Sequence, residues 1–366
     1  MSKFANLPLL LLLTLLACAR DTDDPGPGKP GEALYYPPLQ STEWAVTTPE
    51  DLHWKTQNLD SLYNFLMHNG TRAFIILKDG KIVTEQYWGN NIANTGPFNR
   101  DAMWYWASAG KTITAFLTGI ARQEEMLNID ERVAAYLGKW TSMPPEKENL
   151  ITIRHQLTMT TGLDYTVGNL FCTDAACLKY KADAGTQWYY HNAPYTLLDA
   201  VITKASGMDF NDFTDKMLEE KIGMNGRWIQ DDYNNIYWST ARDMARFGLL
   251  ILSAGKWDGN RVMHDTVYFK EMVTSSQALN PAYGYLWWLN GKNDIILPGS
   301  PYTFHSKFLP AAPDDLISGS GKNGQFVDVI PGLNMVVIRM GEAPDNSLLT
   351  VQFHNEMWEK IMAVMP

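Results

Sequence analysis

Strand-like segments stand at opposite ends of this chain with a long stretch of helical spacing between them, so its sheet must be assembled from residues far apart in sequence. Near the start, Ala73 to Leu77 and Lys81 to Tyr87 flank Asp79-Gly80, a strong hairpin signal. Near the end, Phe326 to Ile330 and Met335 to Met340 are joined by Pro331-Gly332-Leu333-Asn334. Between them the period changes. From Ser108 to about Leu127, Ile113, Phe116, Leu117 and Ile120 fall on one helical face. Helical spacing then dominates to about residue 280, including Ala193 to Lys204 and Thr240 to Leu252, and an amphipathic segment, Leu348 to Val364, closes the chain. This layout predicts an α/β (α+β) fold in which an antiparallel sheet is flanked by terminal helices and carries a helical insertion. Within a domain spanning 34–366, the sheet part is expected at about 50–105 and 283–366 and the helical part at about 106–282, with the functional site between them.

Composition narrows the classes further. A chain of 366 residues with 45% hydrophobic and 19% charged residues can bury a core without disulfides or metal. Its net charge of −10 argues against a nucleic-acid partner, because phosphate binding needs a basic surface. Nothing after residue 17 is apolar for eighteen residues, so no membrane-crossing helix is expected. Soluble enzymes and binding proteins remain.

The N-terminus reads as an export signal over residues 1–17: Lys3, a leucine-rich run from Leu7 to Leu16, then Ala17 and Cys18. Leu15-Leu16-Ala17-Cys18 resembles the lipobox of bacterial lipoproteins, whose cysteine is acylated. An ordinary signal cleaved nearby is the alternative. Residues 18–33 are polar and rich in Pro and Gly, as expected of a flexible tether. Lipid on Cys18 would hold the domain at a bacterial membrane, facing the periplasm or the cell exterior. Cys172 and Cys177 flank only Thr-Asp-Ala-Ala and form either a local disulfide, favoured in an oxidising compartment, or two free thiols. No second ligand pair at finger spacing and no HExxH motif occur, so neither metal nor cofactor is expected.

Several motifs compete for the chemistry. Gly319 to Gly324 matches GxGxxG, but strand-like residues follow where a dinucleotide site needs a helix N-terminus. Gly110-Lys111-Thr112 imitates the end of a P-loop, yet Tyr105 stands where the first glycine belongs. Ser-Ala-Gly-Lys occurs twice. Ser253 ends a helical pattern, and Gly255 with Asp258-Gly259 reads as a cap and turn. Ser108 instead begins a helical pattern, with Lys111 one turn on and the helix's positive end favouring developing negative charge. The first copy therefore suits Ser/Lys nucleophilic catalysis. Presenting an unperturbed lysine as a free base at neutral pH costs roughly 4–5 kcal/mol, so burial or a second cation must lower its pKa.

Ser108-Ala-Gly-Lys111, Tyr190-His191-Asn192 and Lys322-Asn323-Gly324 stand in the order and approximate spacing of SxxK, YxN and K[ST]G. With the flanks Ile153 to Leu163, Ala184 to Gln187 and Ser239 to Gly248, the chain from about residue 50 resembles the serine β-lactamase and penicillin-binding-protein superfamily, in its class C and esterase-like branch. The ending Gly321 to Gln325 is similar to 6-aminohexanoate-oligomer hydrolases. The resemblance implies a β-lactamase-like fold and an amide or ester hydrolase with Ser108 as nucleophile. Lys111 would share in its deprotonation, and Tyr190, held between cations, would be general base and then acid. It gives Asn192 the orienting of Lys111 and a substrate amide, Lys322 positive potential beside Tyr190, and the backbone of Ser108 and Gln325 the oxyanion hole. Two departures stand out. His191 occupies a usually small position, where it crowds the cleft or points away. Asn323 replaces the hydroxyl that grips a substrate carboxylate, which argues against β-lactams and D-alanyl peptides. Trp104, Tyr105, Trp106 and Trp188 are candidates for lining an acyl pocket or for ordinary packing. A β-lactamase or D-alanyl peptidase, and an idle binding or sensor module on the same fold, are the alternatives.

Overall fold

The computed structural model describes Met1 and residues 34–366; residues 2–33, and with them Cys18 and the expected tether, lie outside the described residues. In chain order the elements that position the site are α1 (Leu59–His68), β1 (Thr71–Lys78), β2 (Lys81–Tyr87), β3 (Trp104–Tyr105), α2 (Lys111–Gln123), α3 (Asn192–Ser206), β4 (Arg227–Asp231), β5 (Asn234–Ser239), α4 (Ala241–Leu252), β6 (Trp288–Leu289), β7 (Ile317–Gly321), β8 (Gln325–Ile330), β9 (Met335–Gly341) and α5 (Val351–Val364).

Six strands form an antiparallel sheet in the order β2-β1-β9-β8-β7-β6. The two ends of the chain meet in its centre, where Ile75 pairs with Ile338. Asp79 and Gly80 both take left-handed backbone (φ 52° and 79°), which matches the right-handed twist of the strands they join. Phe74 to Leu77 are fully buried in succession, so the polar alternation of a half-exposed strand is lost. The reason is cover on both faces. On one side α1 and α5 pack together through stacked Phe65 and Phe353, 5.2 Å between ring centres. On the other side α4 presses so closely that a Cβ on Gly248 would lie 2.5 Å from Val336.

Helix α4 lies inside the 106–282 stretch, yet it covers the sheet. The same stretch is not wholly helical either, since β4 and β5 form a hairpin that joins β3 in a second antiparallel sheet. Polar letters at Gln230, Asn234 and Asn235 hide the strand period there. Helix α2 is buried from Lys111 to Ala121 on every side, which makes it the central helix of the molecule.

Candidate active site

Ser108 sits in a short 3-10 turn (Ala107–Gly110) between β3 and α2. The turn is anchored by buried Trp106, whose backbone N–H donates to Tyr237 O and whose ring N–H donates to Ser239 Oγ, both at 2.8 Å. Ala107 takes left-handed backbone (φ 46°), a costly conformation for a residue with a side chain, directly before the serine. Lys111 is the first residue of α2. Its Nζ donates to Ser108 Oγ and to Asn192 Oδ1, each at 2.9 Å, and lies 4.0 Å from the centre of the Tyr195 ring and 5.1 Å from that of Tyr190. Burial pushes the Lys111 pKa down to about 7, against an opposing pull from Asp199. Of the causes weighed from the sequence, burial is the one that acts.

Tyr190 is buried, stacked on Trp288 at 5.8 Å and edge-on to Tyr283 at 6.2 Å. Burial raises its pKa well above the ordinary phenol, with a hydrogen bond to Ser108 opposing. It therefore meets the serine as a neutral phenol rather than as a phenolate between cations. Lys322 is exposed at the rim of the cleft.

The cleft has a volume of about 510 Å³ and is bordered by Ser108, Lys111, Tyr190 and Asn192 on its reactive side and by Ser320, Lys322 and Asn323 at the end of β7. Leu170, Phe171 and Leu348 give it an apolar wall, and Asp231 and Asn235 a polar one. Cys172 and Cys177 are joined in a disulfide that closes the loop following Phe171. A second cavity of about 260 Å³ beside Arg100, Arg242 and Arg246 contains none of these residues.

Most other residues singled out in the sequence lie apart from the cleft. Gln325 begins β8, pairs with Gly321 across a tight turn and clips β9: its Nε2 donates to Gly341 O at 2.7 Å and its Oε1 accepts from Gly341 N at 3.0 Å. Gly324 faces the Arg339 guanidinium. Neither borders the cavity, because Asn323 (φ 64°) and Gly324 (φ 75°) reverse the chain before Gln325. Asn323 Nδ2 donates to Tyr105 Oη at 2.8 Å, so its amide is already engaged. His191 points away: it is buried outside the cleft, both ring nitrogens lack hydrogen-bond partners among the described residues, and burial lowers its pKa to about 4. Of the aromatic candidates, Tyr105 borders the cleft. Trp104 and Trp106 are packed beneath it, and Trp188 lies against Tyr283 at 5.4 Å. In the second Ser-x-x-Lys, the Ser253 hydroxyl lies between the backbone oxygens of Leu250 and Lys256, to either of which it can donate, as a helix-ending residue does.

Sequence reasoning missed Tyr195, whose ring centre lies 4.0 Å from Lys111 Nζ, and the buried Asp199. Tyr195 and Asp199 follow Asn192 by three and seven positions on α3, the spacing that puts all three on one face. Polar residues on the buried face of an apolar helix were the available signal.

Residues 66–345 match the family model described as Beta-lactamase. An uncharacterised protein of Alkalihalophilus pseudofirmus is 24% identical over 304 residues, covering 74% of this chain and 83% of its own length. A Bacillus anthracis structure, proposed to be a 6-aminohexanoate-dimer hydrolase, superposes with a TM-score of 0.68 at 18% identity over 90% of this chain and 89% of its own. A Mycobacterium bovis β-lactamase structure gives a TM-score of 0.59 at 17% identity over 84% of this chain and 98% of its own. With the family model matched over most of its length, the chain belongs to the beta-lactamase family of serine hydrolases.

Proposed function

We propose that the protein is an exported enzyme that cleaves an amide or ester through an acyl-enzyme on Ser108. The observation that carries this reading is the 2.9 Å hydrogen bond from a buried lysine to the serine oxygen. With its pKa lowered to about 7, Lys111 is a substantial fraction free amine at neutral pH, where an ordinary lysine is not. It takes the Ser108 proton as the serine oxygen attacks the substrate carbonyl. The neutral Tyr190 phenol gives its proton to the departing amine or alkoxide, and the Lys111 ammonium then returns a proton to Tyr190. The net transfer runs from serine to leaving group. Water attacks the acyl-enzyme by the same steps in reverse.

Asn192 orients Lys111 through its Oδ1. The Ser108 N–H supplies one oxyanion donor. The second belongs to the end of β7, where Ser320 and Lys322 border the cleft, rather than to Gln325 on the next strand. Asn323 brings an amide bound to Tyr105 where the motif has a hydroxyl, so linear amides and esters suit the cleft better than β-lactams or peptide carboxylates. The Bacillus anthracis relative's description points to the same substrate class. Lipid on Cys18 would anchor the enzyme at a membrane. Globomycin-sensitive processing tests that anchor, and a mature N-terminus elsewhere removes it.

Intact-protein mass after incubation with a fluorophosphonate tests the nucleophile. A single adduct, abolished by Ser108→Ala, is expected, together with hydrolysis of short-chain esters or amides. A chain that takes no adduct from any acylating probe is the idle module instead.

A further inference from the structure

The apolar wall of the cleft includes side chains that stand open to water. Phe171 is 41% exposed and Leu348 61% exposed, and both border the cavity that contains Ser108. A single apolar side chain on a surface needs no explanation. Two that border one cavity, together with the half-buried Leu170, Ile236 and Leu349, make an apolar surface beside a nucleophile.

Both are fixed by their surroundings. Phe171 directly precedes Cys172, whose disulfide to Cys177 closes the loop. The Phe171 N–H donates to Asn169 Oδ1 at 2.9 Å, and the Ala193 N–H of α3, next to Asn192, donates to Leu170 O at 2.9 Å. Inside the closed loop, Asp174 Oδ2 accepts from Tyr233 Oη at 2.6 Å. That bond ties the loop to the turn of the β4–β5 hairpin, whose Asp231 and Asn235 form the polar wall. Leu348 comes from the segment between β9 and α5 and rests on the Pro298-Gly299 turn: a Cβ on Gly299 would lie 3.0 Å from Leu348 Cδ1. Apolar groups anchored in this way lose little freedom when a ligand covers them, so ordering offsets little of the gain. Among the described residues that border the cavity, the charged ones other than Lys111 are Asp231 and Lys322. Their signs are opposite, so no net charge there favours an anionic or a cationic substrate.

We propose that Phe171 and Leu348 determine specificity: they form a subsite for an apolar chain on one side of the scissile bond. The substrate is then an ester or amide that carries an alkyl chain there rather than a small or charged group. The subsite rests on the reading of Ser108 as nucleophile and adds the class of chain it acts on. Selection comes from apolar area removed from water, roughly a three- to fourfold gain for each methylene fully covered.

The test is kcat/KM of the full chain on two ester series, p-nitrophenyl esters from acetyl to octanoyl and alkyl acetates from methyl to hexyl, with Ser108→Ala as control. In one of the two series kcat/KM is expected to rise about threefold per methylene over the first few additions, because an open wall covers the chain incompletely. The readout in the variants is this slope, not the absolute rate. Phe171→Ser and Leu348→Ser each flatten it, and the double variant removes most of it. Phe171→Leu, which keeps an apolar surface, retains most of it. A role in folding alone would lower both ends of a series equally and leave the slope. Both side chains are exposed, so the single substitutions fold. A wild type flat in both series, or a slope that survives the double variant, overturns the proposal. Hydrolysis undiminished in Ser108→Ala, or no hydrolysis of any ester by the wild type, overturns the serine reading itself and this inference with it.

Discussion

Gly321 lies so close to the backbone of Ser108 that a Cβ added to it would fall 3.1 Å from the Ser108 nitrogen and 2.9 Å from that of Ala109. The glycines of β7 are thus a packing requirement, not a nucleotide loop. Gly319 meets Thr112 in the same way, at 2.9 Å. Strand and serine turn are seated against each other with no room for a methyl group. Gly321→Ala must separate them, and with them the oxyanion donors proposed on the two elements. The expected result is a loss of about 1–3 kcal/mol in urea unfolding and about a hundredfold slower acylation of Ser108, read by adduct mass against time.

What can be read from the letters is local. Asp79-Gly80 announces its hairpin because turn chemistry is written in two adjacent residues. Ser108 and Lys111 announce theirs because one helical turn fixes their distance. Gln325 lies off the cleft border, whereas counting three positions on from Lys322 supposes a continuing strand. Asn323-Gly324 is itself a turn signal of the same kind as Asp79-Gly80, and it sends Gln325 to the neighbouring strand. Helix α4 reads as part of the insertion because amphipathic spacing shows that a face is buried without naming what buries it. Asp199 escapes notice because the groups around it, Asn235 among them, lie on other elements and appear in no single segment.

Restoring the family's hydroxyl is not expected to give a β-lactamase. Asn323 has φ 64°, a backbone region asparagine tolerates and a β-branched residue resists. Its amide also donates to Tyr105 Oη. Asn323→Thr is expected to cost about 1–3 kcal/mol of stability and to leave turnover of a chromogenic cephalosporin no faster than in the wild type. Thermal unfolding and a stopped spectrophotometric assay check the two parts. A cephalosporin turnover raised tenfold or more would reverse the substrate assignment.

Arg339 holds the turn that carries Lys322 into the cleft. It is fully buried, and its guanidinium donates to the carbonyls of Asn69, Asn323, Gly324 and Glu342 and to Thr71 Oγ1 at 2.7–3.1 Å. Methionine fills much of the same volume but leaves those acceptors without donors. Arg339→Met should lose about 3–5 kcal/mol in denaturant unfolding, far more than an exposed arginine. Arg339→Lys should recover only part, since an ammonium cannot span five acceptors.

On the reading of Lys111 as the base for Ser108, its burial serves the chemistry at the expense of stability. In the folded chain its pKa is about 7, and in the unfolded chain it is that of an ordinary lysine, so between those values the unfolded state binds the extra proton. Stability therefore rises with pH through that window, and the full cost of the buried ammonium is borne below pH 7. Asp199, raised to about 8, acts in the opposite sense: its cost is absent below the ordinary carboxylate range and complete above pH 8. Lys111→Met removes the first cost and, by taking away the cation, deepens the second. The variant should lose Ser108 acylation entirely yet be more stable than the wild type by about 1–4 kcal/mol near pH 6, with the advantage shrinking steadily as pH rises toward 10. Urea unfolding of both proteins at pH 6, 8 and 10 measures the trend. A Lys111→Met variant less stable than the wild type at pH 6 would mean that the hydrogen bonds to Ser108 and Asn192 outweigh the desolvation of the ammonium, and that the lysine is not poised as a base.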